Sequence, residues 1–468
     1  GTNTTDPLDP QPNGPRTRDP AVHLLIGATI HIKPGLTIDQ GAILIRDNRI
    51  ERVVNTALLE LNKPAGAQVH DLTGMHIYAG FLDAHLPIDA PRPALDAPGT
   101  HWNASVTPQR AALDAGSIPD AEAEALRSLG FTAAAIAPRG GIFAGRAAVV
   151  SLAPPPTDPA DGKPPVYATD VYQALSFQRA GSNRGEFDTY PTSQMGAIAL
   201  IRQTLSDADW LNASSPDPGG GAFPGPEAAP TRLSALTTDL PLFFRTRDEL
   251  EGLRAGKIAN EFSRPFLILG SGTEFRRLDA IAQNHTPDQS PPTYILPLTF
   301  PETPDLATIG KADATNLRTL MTWEQAPTNP RRLDEAGVAV CLTASGLRQG
   351  EKFLDNLRDA LTLGSLPPDR ALAMLTTNPA AILGVEDDMG TIEPHKLANL
   401  VITSSNLFPP SPGLQSGDTP KILTLWIDGK PHTINAPPPP FDGTWTLRVG
   451  DAFEMTLIID GNTITGIE

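Results

Sequence analysis

The segment Asp83-Ala84-His85-Leu86-Pro87 sets a carboxylate and an imidazole two residues apart. In a strand, such a pair leaves the same face. Histidine titrates near neutrality, so Asp83 and His85 could carry metal-free acid–base chemistry. The competing reading is a histidine held by hydrogen bonds in a pocket where nothing reacts. Three other places invite the same question. His101 and Trp102, in "GTHWNASVTPQ", read equally as a pocket lining or as an anchor for a packed loop. Cys341 lies inside an apolar run with no His or Lys near it in sequence, and reads as an inert buried thiol. "PRGGIFAGRAAVV" is glycine-rich but lacks the strand–GxGxxG–helix context of a phosphate cradle, and reads as a turn between strands. The charges Arg179, Arg184 and Glu186 of "FQRAGSNRGEFDTYP" read as a solvated loop.

The elements that must position these residues follow from the hydrophobic pattern. Residues 1–20 are polar and Pro-rich and predict a flexible lead-in. Short β-branched runs follow, with turns at Pro34-Gly35 and Asp47-Asn48. From about residue 75, apolar runs such as "IYAGFLDAH", "FTAAAIAP", "LPLFFRT", "PFLILGS", "TYILPL" and "VAVCLTA" alternate with amphipathic stretches such as "RDELEGLRAGKIANEF". That alternation predicts a parallel sheet buried on both faces, and the number of units fits a (β/α)₈ barrel better than an open sheet. Pro/Gly-rich interruptions at 86–119, 152–165 and 211–230 predict loops inserted around its mouth. After about 385 the pattern returns to β. The four prolines 437–440 predict a stiff spacer, and the tail predicts a small β-meander.

Composition narrows the function classes. With 36 Lys+Arg against 53 Asp+Glu the formal charge is -17, which argues against nucleic acid or an anionic membrane as partner. A single cysteine excludes internal disulfides and a multi-thiolate zinc site. No apolar run approaches the roughly 20 residues of a membrane span. The start at Gly1, the polar lead-in and the scarcity of lysine lead us to expect a periplasmic or other extracytoplasmic location. The end at "NTITGIE" is compatible with processing or with a cut between modules.

Three segments together resemble the amidohydrolase superfamily, in its imidazolonepropionase- and dihydroorotase-like subgroup of metal-dependent hydrolases. "GMHIYAGFLDAHLPID" (74–89) is similar to the first barrel strand of that family, and "LTTNPAAILGVEDDMGTIEPHKLANLVIT" (375–403) to the segment that closes the barrel and re-enters a sandwich. The opening β-rich stretch resembles the first half of that sandwich. The resemblance implies an α/β fold: a (β/α)₈ TIM-like barrel at 75–385 and a β-sandwich built from 21–74 and 386–436, followed by the spacer and meander at 437–468.

The resemblance also implies a metal-activated water, held by His-x-His on strand 1, a carbamylated Lys or Glu on strand 4, His on strands 5 and 6, and Asp on strand 8. Here position 87 is proline, which removes the second histidine of strand 1. The nine histidines leave only His85, His101 and His285 in the barrel, and Ser345 stands near the place of the strand-8 Asp. Only His85, with Asp83 or Glu274, can be nominated as a vestige of a metal site, and no cofactor is expected. The leading expectation is therefore a non-catalytic structural or regulatory partner of an intact paralogous amidohydrolase, or a homo-oligomer. Two alternatives stand beside it: an active hydrolase of C–N bonds in cyclic amides or imides, using zinc or another divalent metal in an atypical site, and a small-ligand binding protein.

Overall fold

The computed structural model describes residues 22–59, 66–94, 96–97, 99–155, 164–177, 190–213, 232–236, 239–285, 291–346, 352–409, 419–435, 443–449, 453–460 and 463–467. The expected lead-in, the prolines 437–440, most of 211–230, and Arg179, Arg184 and Glu186 lie outside these residues.

The chain opens with β1 (Val22–Lys33), β2 (Leu36–Arg46), β3 (Arg49–Asn55), β4 (Gln68–Asp71) and β5 (His76–Ala79). The β2–β3 hairpin turns through Asp47 and Asn48, both at positive φ, as a two-residue hairpin loop requires. β1 pairs with β2 on one side and, along its length, with both β4 and β5 on the other. The chain completes this sheet some 320 residues later with β16 (Leu400–Thr403), β17 (Ile422–Ile427) and β18 (Lys430–Thr433), and β16 lies antiparallel to β5. One face of the eight-stranded sheet gathers Leu25, Ile43, Ile77, Leu400 and Trp426. Tyr78, Val401 and Leu425 belong to the main core, where edge-to-face contacts run from Tyr78 to Phe408, Phe81 and Phe131.

Between those two halves lie β6 (Phe81–Ile88), β7 (Phe131–Pro138), β8 (Phe143–Arg146), β9 (Ala148–Ser151), β10 (Val166–Ala168), β11 (Gln173–Ser176), β12 (Leu242–Arg245), β13 (Phe266–Leu269), β14 (Thr293–Pro297) and β15 (Ala339–Thr343). The architecture is mixed α/β, as the alternating pattern predicts. β6–β7 and β11 to β15 are parallel runs buried among helices. The expectation of one continuous ring needs correction. The described strands make two sheets, β10-β9-β7-β6 and β15-β14-β13-β12-β11-β8. Two local causes account for the breaks. The glycine-rich segment turns at Gly140-Gly141 and forms β8 and β9, which pair antiparallel with β11 and β7 respectively. At the other edge β6 carries a register shift between Asp83 and Leu86 and then Pro87, which has no N–H to donate. There the Asp83 side chain replaces the ladder: it accepts hydrogen bonds from Thr343 Oγ1 (2.5 Å) and from the Ala344 backbone N–H (3.1 Å). The tail forms a separate three-stranded meander, β19 (Gly443–Val449), β20 (Phe453–Asp460) and β21 (Thr463–Ile467).

The turn between β17 and β18 ties the two regions together. Asp428 accepts from Ser151 Oγ (2.7 Å) and Tyr167 OH (2.5 Å), and Gly429 sits at φ +75° against the backbone of Asn48. A Cβ at 429 would collide with that backbone and strain the turn. We therefore expect Gly429→Ala to lower the thermal midpoint by several degrees, consistent with a cost of about 1–3 kcal/mol. Thr343→Val, nearly isosteric, removes a charge-assisted bond to Asp83 and should cost about 1.5–3 kcal/mol in urea unfolding. A loss within error for Thr343→Val would show that the β6–β15 seam does not depend on it.

Candidate functional site

Strand alternation sends Leu82 and Ala84 of β6, Ala133, Ala135 and Ala137 of β7, and Tyr172 before β11 into one buried cluster, together with Phe243, Leu267, Ile295 and Cys341. The three alanines leave room for the rings opposite. His85 stacks on Phe243 (centroids 4.3 Å apart), and Tyr172 stacks on the same ring at 4.6 Å. The β6 irregularity swings His85 to this interior, where it is 1% exposed.

Asp83 and His85 are brought together, but through the backbone. The Asp83 carboxylate accepts the His85 N–H at 3.0 Å, while the His85 ring bonds Tyr172 OH at 3.0 Å through Nδ1. Asp83 therefore accepts from three donors: Thr343 Oγ1, His85 N and Ala344 N. Burial pushes its carboxyl up to about 6 against the pull of those bonds. Burial also holds the His85 imidazole well below its ordinary value, and the Arg245 charge adds to this. Tyr172 is pushed well above the ordinary phenol range by burial and then by Asp83.

The proton positions follow from the acceptors. Tyr172 OH also lies 3.2 Å from the Ala84 carbonyl, which can only accept. When Tyr172 donates there, His85 must donate through Nδ1, and Nε2 carries a bare lone pair. When Tyr172 donates to Nδ1, the imidazole proton moves to Nε2. In either tautomer Nε2 is buried without a hydrogen-bond partner.

Sequence reasoning missed Tyr172, Phe243 and Arg245. Arg245 ends β12 two residues beyond Phe243 and so shares its inward face. A charged residue closing the apolar run "LPLFFRT" was the available signal.

Glu274 belongs elsewhere. Its carboxylate accepts from Ser271 N (2.6 Å), Ser271 Oγ (3.0 Å) and Asn329 Nδ2 (2.8 Å), which pins the β13 loop to the helix Asn329–Glu335. Cys341 is fully buried, and burial followed by the Asp83 charge raises its thiol pKa. Ser345 donates its backbone N–H to Thr343 Oγ1 (2.9 Å). His101 accepts the Asn103 N–H on Nδ1 (3.0 Å), which leaves its proton on Nε2. It lines a cavity of about 120 Å³ with Arg92, Thr100, Asn103 and Thr107. Trp102 next to it is 71% exposed and stacks on Tyr190.

A catalytic zinc takes about three protein ligands. Among the described residues no three His, Cys, Asp or Glu side chains converge. Both Asp83 oxygens are held by protein donors, and a guanidinium acts on the one inward imidazole. These residues do not fit a divalent cation: a fixed positive charge beside the imidazole opposes it.

Residues 325–432 match the sequence model of the amidohydrolase family. In fold the chain is similar to an amidohydrolase from Thermotoga maritima MSB8, at 20% identity and TM-score 0.61, covering 87% of this chain and 98% of that one. A prolidase complexed with N-methylphosphonate-L-proline aligns at 16% identity and TM-score 0.49, over 88% and 99% of the two chains. An adenosine deaminase from Xanthomonas campestris with bound zinc aligns at 15% identity and TM-score 0.40, over 87% and 92%. No curated protein matches the chain.

The two buried groups give opposite pH signatures. The folded pKa of Asp83 (about 6) exceeds the unfolded value of 3.8, so its contribution is present below pH 3.8 and is lost as pH rises through about 6. The folded pKa of His85 lies below 6.5, so its contribution is present above pH 6.5 and is lost as pH falls. His85→Gln should therefore lose less stability than wild type between about pH 7 and pH 5 in urea titrations. Parallel pH profiles would show that His85 is not held neutral in the fold.

Proposed function

We propose that this chain, a member of the amidohydrolase family, does not perform the metal-dependent hydrolysis of that fold and serves as a structural or regulatory partner of an active amidohydrolase subunit. One observation carries the reading. Where strand-1 chemistry would gather a cation, the interior offers one imidazole, a carboxylate already engaged by three donors, and a guanidinium. Within the proposal, the two mixed sheets, with their parallel runs, are arcs of one (β/α)₈-type barrel joined at Asp83, and the sheet formed by β1–β5 and β16–β18 is half of the sandwich. The ligand-binding alternative is favoured by the same guanidinium, which lacks an anionic partner among the described residues. The hydrolase alternative needs a cation that the donors do not suit.

The test is element-resolved metal quantification of protein purified without chelator, with His85→Ala as control, together with the composition of native pull-downs. We expect far less than one equivalent of zinc, manganese or iron in both proteins, and a second, His-rich amidohydrolase chain in the pull-down. Near-stoichiometric metal that disappears in His85→Ala would overturn the proposal in favour of the hydrolase.

A further inference from the structure

We propose that the interior between His85 of β6, Tyr172 just before β11 and Arg245 at the end of β12 forms a binding site for a small carboxylate, organised by Arg245. The inference rests on the reading that no metal ion occupies this place, and it goes beyond it by naming a ligand class.

Arg245 stands at the last position of β12, opposite Ser176 of β11 and Leu269 of β13, on the face that carries Phe243. Its side chain is largely buried. Among the described residues it makes no ion pair and no hydrogen bond, and its Nε is sealed from solvent without a partner. The groups that act on it are Tyr172 and Arg139, while Arg245 itself acts on His85. Tyr172 and His85 are uncharged in this setting, and Arg139 adds a second positive charge, itself 3.8 Å from Asp89 and bonded to the Pro87 carbonyl. Asp83, on β6, is turned towards β15. Arg245 itself thus has no counter-ion among the described residues, an arrangement that a folded protein tolerates poorly unless something else supplies the negative charge.

The second observation is independent of the first: His85 Nε2 is a buried polar atom with no partner. Moving one proton makes it a donor. Tyr172 donates to Nδ1, and the imidazole presents N–H at Nε2. An anion selects that tautomer, a cation the other. The planar guanidinium fork matches the two oxygens of a carboxylate. A single guanidinium supported by neutral donors suits a monoanion better than a phosphate dianion.

The experiment is thermal unfolding and isothermal titration of the full chain with sodium formate and acetate, against sodium chloride and sodium phosphate at matched ionic strength. Wild type, Arg245→Gln and Arg245→Lys are compared. In wild type we expect a saturable rise of the midpoint with formate or acetate that chloride does not reproduce. Arg245→Gln should abolish it and, having lost an unpaired buried charge, should melt higher than wild type without ligand. Arg245→Lys, a point charge without the fork, should bind about tenfold more weakly, a comparison that survives if the Gln variant folds poorly. The absence of any carboxylate-specific shift in wild type, an unchanged shift in Arg245→Gln, or a response to phosphate alone would each overturn the assignment. Metal content measured on the same wild-type sample separates the two ideas. A metal-free protein that ignores carboxylates sinks only this site, whereas a metal-loaded one sinks the proposed function.

Discussion

The hydrogen bonds to the Asp83 carboxylate are the constraint on which the central fold depends. β6 and β15 are the edges of two different sheets, and between them the bonds to Asp83 do what a backbone ladder does elsewhere. An acceptor with several lone pairs suits that task, since one carboxylate can receive donors from two strands. The arrangement costs desolvation of a charge, which shows in the raised pKa of the group. The same commitment directs the two Asp83 oxygens at Thr343 and Ala344.

That structural duty also explains the setting of His85. The irregularity in β6 that precedes Pro87 turns the imidazole inward onto Phe243 and Tyr172. Burial then keeps it neutral, and the Arg245 charge reinforces this. The interior beside β6 thus carries a guanidinium that acts on a neutral imidazole, with no anionic partner among the described residues. A cation repels cations at any dielectric constant, and most strongly where water is excluded. The electrostatics of this interior, more than the absence of any one ligand, oppose a divalent cation beside His85.

Much of the architecture was legible in the residues. The Asp47-Asn48 hairpin, the parallel runs and the return to β structure near 400 all follow from local pattern, because turn chemistry and side-chain alternation act over a few residues. The site was legible only in part. Asp83 and His85 could be named because their spacing on a strand predicts a shared neighbourhood. Glu274 was nominated beside His85 as a vestige of a metal site, yet its partners are Ser271 and Asn329, and the latter lies on a helix 55 residues away. Nothing in the spacing of either segment announces that contact.

What the residues settled by themselves is the α/β pattern, the number of histidines and the proline at position 87, all of which can be read from the sequence. Which partner each polar atom takes was decided by tertiary structure alone. Asp83 meets Thr343 across 260 positions, and Tyr172 meets His85 across 87. Such distances are closed by packing of the whole chain, so the direction of a carboxylate, the tautomer of an imidazole and the isolation of the Arg245 guanidinium exist only once the strands have come together.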